Sequence, residues 1–189
     1  AQPVVALCDA KLLDELKAAQ AQHPVLATIV PFNLMNEPGS LAVRSAAKDG
    51  NFGPCPCRAD DIAMMAFTSG TTGSPKAAVH SHRDILAACE CWPRHVLRPE
   101  PDDIVMGSPP LAFTFGLGGL LIFPMWAGAS VYFPDAPYTP QTMVQLMREV
   151  GCTTCYTAPT FYRQMAPFAR EAGVPTLKKC VSAGEGLPD

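Results

Sequence analysis

Between an apolar run at residues 62–67 and a second extended run, Ala77-Ala78-Val79, lies Thr68-Ser69-Gly70-Thr71-Thr72-Gly73-Ser74-Pro75-Lys76. The residue types suit the grip of a phosphate. Glycines at 70 and 73 let the backbone take positive φ and come close to a ligand. Successive N–H groups in such a turn form a nest for an anion. The hydroxyls of Thr68, Ser69, Thr71 and Thr72 add donors matched to phosphate oxygens, and Lys76 adds a mobile positive charge. Residues 63–79 carry no acidic side chain to repel the ligand.

The pattern is not a Walker loop. Counting from Gly70 puts Pro75 where Gly-x-x-x-x-Gly-Lys-Ser/Thr needs its second glycine, and Ala77 where it needs the hydroxyl. Proline also lacks the N–H that would face phosphate. On composition alone, a Ser/Thr/Gly surface loop between two strands is the competing reading.

The elements that must hold this segment follow from periodicity. Short apolar strands are expected at residues 4–8, 25–30, 62–67, 104–106, 129–133, 153–156 and 180–181. Helices are expected after Asp9, with Leu12, Leu13, Leu16 and Ala19 on one face, and over 38–48, beginning at Glu37 and Pro38. Others are expected after Ser81 or His82 through Trp92, over 117–126, from Thr139-Pro140 with Met143, Val144, Leu146, Met147 and Val150 inward, and over 160–171. Strands alternating with helices predict an α/β fold, a mostly parallel sheet with helices on both faces. The Pro/Gly-rich stretch at 49–59 is the weakest boundary in the chain.

Composition narrows the function classes. The chain has 189 residues, 48% hydrophobic and 16% charged, enough for a packed core. A net charge of -3 offers no basic footprint for nucleic acid. No run of apolar residues is long enough to span a membrane without breakers, since 111–128 is interrupted by Thr114, by Gly116, Gly118 and Gly119, and by Pro124. The N-terminus has neither a start methionine nor a charged leader, and reads as cut from a longer chain. Eight cysteines without a signal peptide fit a reducing cytoplasm better than a disulfide framework. Cys152, Cys155 and Cys180 read as small core residues. Cys55-Pro56-Cys57 and Cys89-Glu90-Cys91, with His80, His82 and His95 nearby, invite a zinc reading. The C-x-C spacing is poor for zinc, and helical residues two apart do not share a face, so no metal ligand is assigned. His80 and His82 read as polar residues of a strand-to-helix junction, with a catalytic base as the alternative.

Phe67-Thr68-Ser69-Gly70-Thr71-Thr72-Gly73-Ser74-Pro75-Lys76 resembles the signature loop of the adenylate-forming superfamily, which contains acyl- and aryl-CoA ligases, luciferases and peptide-synthetase adenylation domains. Two more segments agree in order and approximate spacing. Pro110-Leu111-Ala112-Phe113-Thr114-Phe115-Gly116 resembles the acyl-pocket motif, and Ser182-Ala183-Gly184-Glu185-Gly186-Leu187-Pro188 the motif lining the adenine and acyl sites. Phe115-Gly116-Leu117-Gly118 and Ser182-Ala183-Gly184-Glu185 look most like benzoate- and 2-aminobenzoate-CoA ligases.

The resemblance implies that residues 1–189 are part of a large N-terminal adenylating domain, with the small C-terminal domain absent. It implies a carboxylate, ATP with Mg²⁺, and CoA as reactants, and an acyl-AMP intermediate. Thr68, Ser69, Gly70, Thr71, Thr72, Gly73 and Lys76 would hold the departing phosphates, with Lys76 as the catalytic group. Gly184, Glu185 and Gly186 would reach the nucleotide. Phe113, Phe115, Gly116, Ala158, Ser182 and Gly184 would shape the acyl site. Ala158-Pro159-Thr160 could line the same pocket. Core packing remains the other reading of Phe113 and Phe115, core or turn that of Ala158-Pro159-Thr160, and a plain strand-to-loop turn that of residues 182–186. Since later motifs of the superfamily do not occur in these 189 residues, the polypeptide alone is expected to be inactive. A carrier-protein thiol in place of CoA, a fatty acid in place of an aromatic one, and a non-catalytic nucleotide- or zinc-binding module stay open as alternatives.

Overall fold

The computed structural model describes residues 2–34, 36–68 and 75–187, the side chain of Thr68 excepted. They form two units, Ala1–Arg58 and Ala59–Asp189, divided inside the Pro/Gly-rich stretch that the sequence marks as the weakest boundary.

In the first unit, β1 (Val5–Asp9) runs parallel to β2 (Thr28–Phe32), with α1 (Leu13–Gln22) as the crossover. Asp9 accepts from the Lys11 N–H at 3.0 Å and so caps the short 3₁₀ turn that leads into α1. The second helix, α2 (Leu41–Ala46), starts later than expected. Its cap is the buried Ser40, whose hydroxyl accepts from the Val43 N–H, and not Glu37 or Pro38.

The second unit opens with an antiparallel pair, β3 (Ile62–Thr68) and β4 (Lys76–Ser81). At the end of β4, Ser81 and Asp84 exchange hydrogen bonds in a capping box that starts α3 (His82–Glu90). Then β5 (Ile104–Gly107) leads through Pro109 and Pro110 into α4 (Thr114–Leu117), a π-helical turn (Gly118–Ile122) and α5 (Phe123–Ala127). The single helix expected over 117–126 is therefore interrupted. Pro124 cannot donate to a carbonyl one turn back, and the wider π turn absorbs the missing bond. After β6 (Ser130–Val131) come α6 (Pro140–Glu149), β7 (Thr154–Thr157), α7 (Pro159–Ala172) and β8 (Lys179–Ser182).

Strands β6-β5-β7-β8 form a four-stranded parallel sheet in that order. Helices cover both of its faces, as the alternation of elements predicts. Met106 of β5 and Cys155 of β7 meet Met143, Val144 and Met147 of α6 and Met165 of α7 on one side. Val105 and Tyr156 meet Leu97 and Leu120 on the other. Every side chain of β7 is buried, as befits an inner parallel strand. Cys152 and Cys155 are fully buried core residues, but Cys180 is exposed, because β8 is the outer strand of the described sheet and its side chains alternate.

One polar cluster holds the amino ends of these strands. The carboxylate of Asp103, 1% exposed, accepts from Lys179 Nζ at 2.6 Å, Thr153 Oγ1 at 2.7 Å and the Glu100 N–H at 2.8 Å. Thr153 Oγ1 in turn accepts from the Ile104 N–H at 3.0 Å, and Lys179 Nζ also donates to the Arg98 carbonyl. Burial pushes the Asp103 carboxyl up, but the bonds from Lys179, Thr153 and the Glu100 N–H outweigh it and hold the group below its ordinary 3.8.

Asp103→Ala is expected to cost about 3 kcal/mol in urea unfolding, because it strands the other members of a buried ion pair. Since the folded carboxyl is the stronger acid, its contribution is complete above the unfolded value and disappears as the pH falls through the lower, folded one. Wild type should therefore lose stability more steeply than Asp103→Asn as the pH drops below about 4. The Tyr156 hydroxyl is buried and has no hydrogen-bond partner among the described residues. Tyr156→Phe removes that unmet polar group and should raise the unfolding free energy by about 1 kcal/mol. A fall in melting temperature would show that the hydroxyl does have a partner.

Candidate functional site

In parallel α/β sheets, ligands meet the loops at the carboxyl ends of the strands. The Asp103 cluster occupies the opposite, amino end. Three of the segments singled out in the sequence leave the carboxyl end. Phe113, Phe115 and Gly116 follow β5, Ala158 follows β7 directly, and Ser182 is the last residue of β8, with Gly184, Glu185 and Gly186 after it.

These segments are tied to one another. Glu185 accepts from the Thr160 N–H at 3.2 Å and from the Thr160 hydroxyl, which fastens the turn after β8 to the first turn of α7 beside Ala158. The Ser108 and Thr157 hydroxyls are hydrogen-bonded across the ends of β5 and β7. The Phe115 ring lies 5.8 Å from that of Tyr156, tilted 59°. Tyr156 is wedged so closely that a Cβ at Gly119 would come within 2.5 Å of its ring carbons.

The individual residues divide. Phe113 is 66% exposed, so it is not a core residue among the described residues. Phe115 is half-buried and joins the core through Tyr156. Gly116 is buried, and a Cβ there would stand 2.1 Å from the Pro110 carbonyl oxygen, so closure of the 108–113 loop already requires a glycine. Gly184 has φ +89° with open space around it. Its backbone, not crowding, calls for glycine. Ser182 is exposed, Ala158 half-buried, and Glu185 is engaged by Thr160.

Of the segment 68–76, the candidate phosphate grip, the structure describes the two ends. Thr68 ends β3, Lys76 begins β4, and the two pair in register; Lys76 is exposed. Ser69, Gly70, Thr71, Thr72 and Gly73 lie outside the described residues. The strand pair meets α4 at a cavity of about 220 Å³, where Met64 and His80 from the strands face Ile85 and Ala88 of α3 and Thr114 and Phe123. The sequence reading placed His80 only at a strand-to-helix junction. The i, i+3 spacing of Ile85 and Ala88 was the available signal for this wall. Among the described residues no group of three or more His, Cys, Asp or Glu could hold a metal ion. Cys89 is buried while Cys91 is exposed. No helix among them is long and apolar enough to cross a membrane.

A profile of the family described as AMP-binding enzyme matches residues 1–189. Benzoate–CoA ligase of Thauera aromatica is 33% identical over 187 residues, which is 98% of this chain and 35% of that protein. A p-hydroxybenzoic acid–AMP ligase of Mycobacterium tuberculosis is 36% identical over 132 residues, 70% of this chain and 19% of that protein. The crystal structure of the anthranilate CoA ligase AuaEII in complex with anthranoyl-AMP superposes with a TM-score of 0.82 at 30% identity, covering 98% of this chain and 37% of that one. The chain thus spans about a third of the full-length relatives it matches from end to end. With the whole of its length matched by one profile, the chain belongs to the AMP-binding enzyme family.

Proposed function

We propose that this chain is part of an ATP-dependent carboxylate–CoA ligase acting on an aromatic acid such as benzoate or 2-aminobenzoate. The observation that carries the proposal is the register of β3 and β4. It sets Thr68 opposite Lys76, with the Ser/Thr/Gly-rich residues 69–74 between them. Relatives that act on benzoate and anthranilate support the choice of acid.

The reaction has two steps. The carboxylate attacks the α-phosphorus of ATP, forming acyl-AMP and expelling pyrophosphate. The sulfur of CoA then attacks the acyl carbon and expels AMP. Pyrophosphate gains negative charge as it leaves, so donors fixed around it stabilise the transition state more than the ground state. Lys76 would bring an ammonium to that place, with Thr68, Ser69, Gly70, Thr71, Thr72 and Gly73 supplying further donors. Phe113 and the open backbone at Gly184 suit a flat ring, which stacks on an aromatic face and needs clearance for its edge. Gly184, Glu185 and Gly186 are assigned to the nucleotide side, with the Glu185–Thr160 bond as the brace that fixes their turn. The Mg²⁺ expected with ATP would be held largely by the phosphates themselves, since no cluster of three or more His, Cys, Asp or Glu occurs among the described residues.

The M. tuberculosis relative named as an AMP ligase favours a second reading, in which the acyl-AMP passes to an acceptor other than CoA.

The decisive experiment is carboxylate-dependent pyrophosphate release by the full-length parent protein. Benzoate, 2-aminobenzoate, a medium-chain fatty acid and acetate are each tested with and without CoA. An aromatic acid should release pyrophosphate, and CoA should then release AMP. Release without any CoA-dependent second step would favour the other acceptor, and no release with any acid would overturn the proposal. In the same protein Lys76→Ala should slow adenylate formation by about 10²-fold and leave carboxylate affinity nearly intact. An unchanged rate would remove Lys76 from the mechanism.

A further inference from the structure

Eight cysteines divide sharply by surroundings. Cys8, Cys89, Cys152 and Cys155 are buried. Burial pushes the thiols of Cys152 and Cys155 up to about 11 and about 12, which keeps them protonated and inert. Cys91 and Cys180 are exposed, but each is the only exposed cysteine of its segment. Cys55 and Cys57 are different, being both exposed and separated by one residue.

The Cys57 thiol turns back toward the carbonyl oxygen of Cys55, with 3.4 Å between sulfur and oxygen, and the Cys55 sulfur lies 3.9 Å from the carbonyl oxygen of Pro56. Both sulfurs therefore lie against the backbone of one tripeptide. Residues two apart are separated by no more than about 7 Å between Cα atoms, and disulfides need about 4.4–6.8 Å. Pro56 has a fixed φ and restricts the residue before it, so ring closure freezes few remaining torsions. Such a small ring is strained, and strained exposed disulfides are readily reduced again.

We propose that Cys55 and Cys57 are a redox-active dithiol, a site of reversible oxidation by low-molecular-weight disulfides such as glutathione disulfide. One thiolate of the pair attacks a sulfur of glutathione disulfide, forming a mixed disulfide and releasing one glutathione thiolate. The second thiolate attacks the protein sulfur of that mixed disulfide and expels the other. The protein loses two electrons and two protons, and glutathione disulfide becomes two molecules of glutathione. The closed ring stiffens the backbone immediately before the division at Arg58 and Ala59 between the two units. This proposal does not depend on the ligase reading.

The sequence provides a clean test. Trypsin cuts after Lys48 and after Arg58, and the peptide 49–58 contains both cysteines and no other. The reduced chain is equilibrated with glutathione disulfide, its free thiols are trapped with iodoacetamide, and the digest is weighed by mass spectrometry. The expected peptide is two hydrogens lighter than the reduced form, with no glutathione and no alkyl group, and dithiothreitol returns it to a doubly alkylated form. In Cys55→Ser and Cys57→Ser the remaining thiol has no neighbour to clear the adduct, and should hold roughly 10-fold more glutathione than either cysteine of the wild type. A wild-type peptide that stays doubly alkylated, that keeps glutathione, or that is linked to a different peptide would overturn the proposal. So would single-cysteine variants that clear glutathione as fast as the pair.

Discussion

A single buried carboxylate fixes the amino ends of three parallel strands. Asp103 precedes β5, Thr153 precedes β7 and Lys179 opens β8, and their side chains meet in one hydrogen-bonded cluster. Parallel strands have no tight turn between them to set their register, since long crossovers join them. Here a charged group satisfied on several sides supplies a reference point. With the register set, Gly107, Thr157 and Ser182 reach the far end of the sheet together, and the loops that follow emerge as one group. Separating the two ends also separates their demands. Rigid burial of charge is kept away from the edge that carries the candidate site residues.

Much of this was legible in the sequence. Periodicity placed α6 and its inward residues Met143, Val144 and Met147, because both a proline at the helix start and a threonine cap mark its first turn. The division after residue 58 was legible from glycine and proline alone. Other features depended on contacts distant in sequence. The π turn at Gly118–Ile122 arises from Pro124 acting backwards on the preceding turn, which a count of apolar residues does not register. Cys180 reads like Cys155 in its local sequence, yet lies on the outer strand, and strand order is a property of topology. The Asp103 cluster joins residues up to 81 apart in the chain, and no spacing rule reveals it.

The candidate site was legible as motifs but not as geometry. Residue types alone could offer Phe113 and Phe115 to either the acyl site or the core, not show that one ring is exposed while the other closes on Tyr156. Glu185 was read as a nucleotide contact, and its bond to Thr160, in the first turn of α7, came into view only with the fold. Thr160, grouped in the sequence with Ala158 and Pro159 as a candidate wall of the acyl site, is thus a supporting residue. It holds the turn that would meet the nucleotide without belonging to the motif itself.

Gly116 has a different lesson. It stands in the segment that resembles the acyl-pocket motif, yet the Pro110 carbonyl oxygen occupies the place where its side chain would be. The glycine is therefore demanded twice, once by the loop that folds over it and once by the ring it is assigned to face. A descendant that had abandoned the chemistry would still be obliged to keep it. Its presence in a sequence is a record of how the loop is built, and only the exposed neighbours can testify to whether anything still binds there.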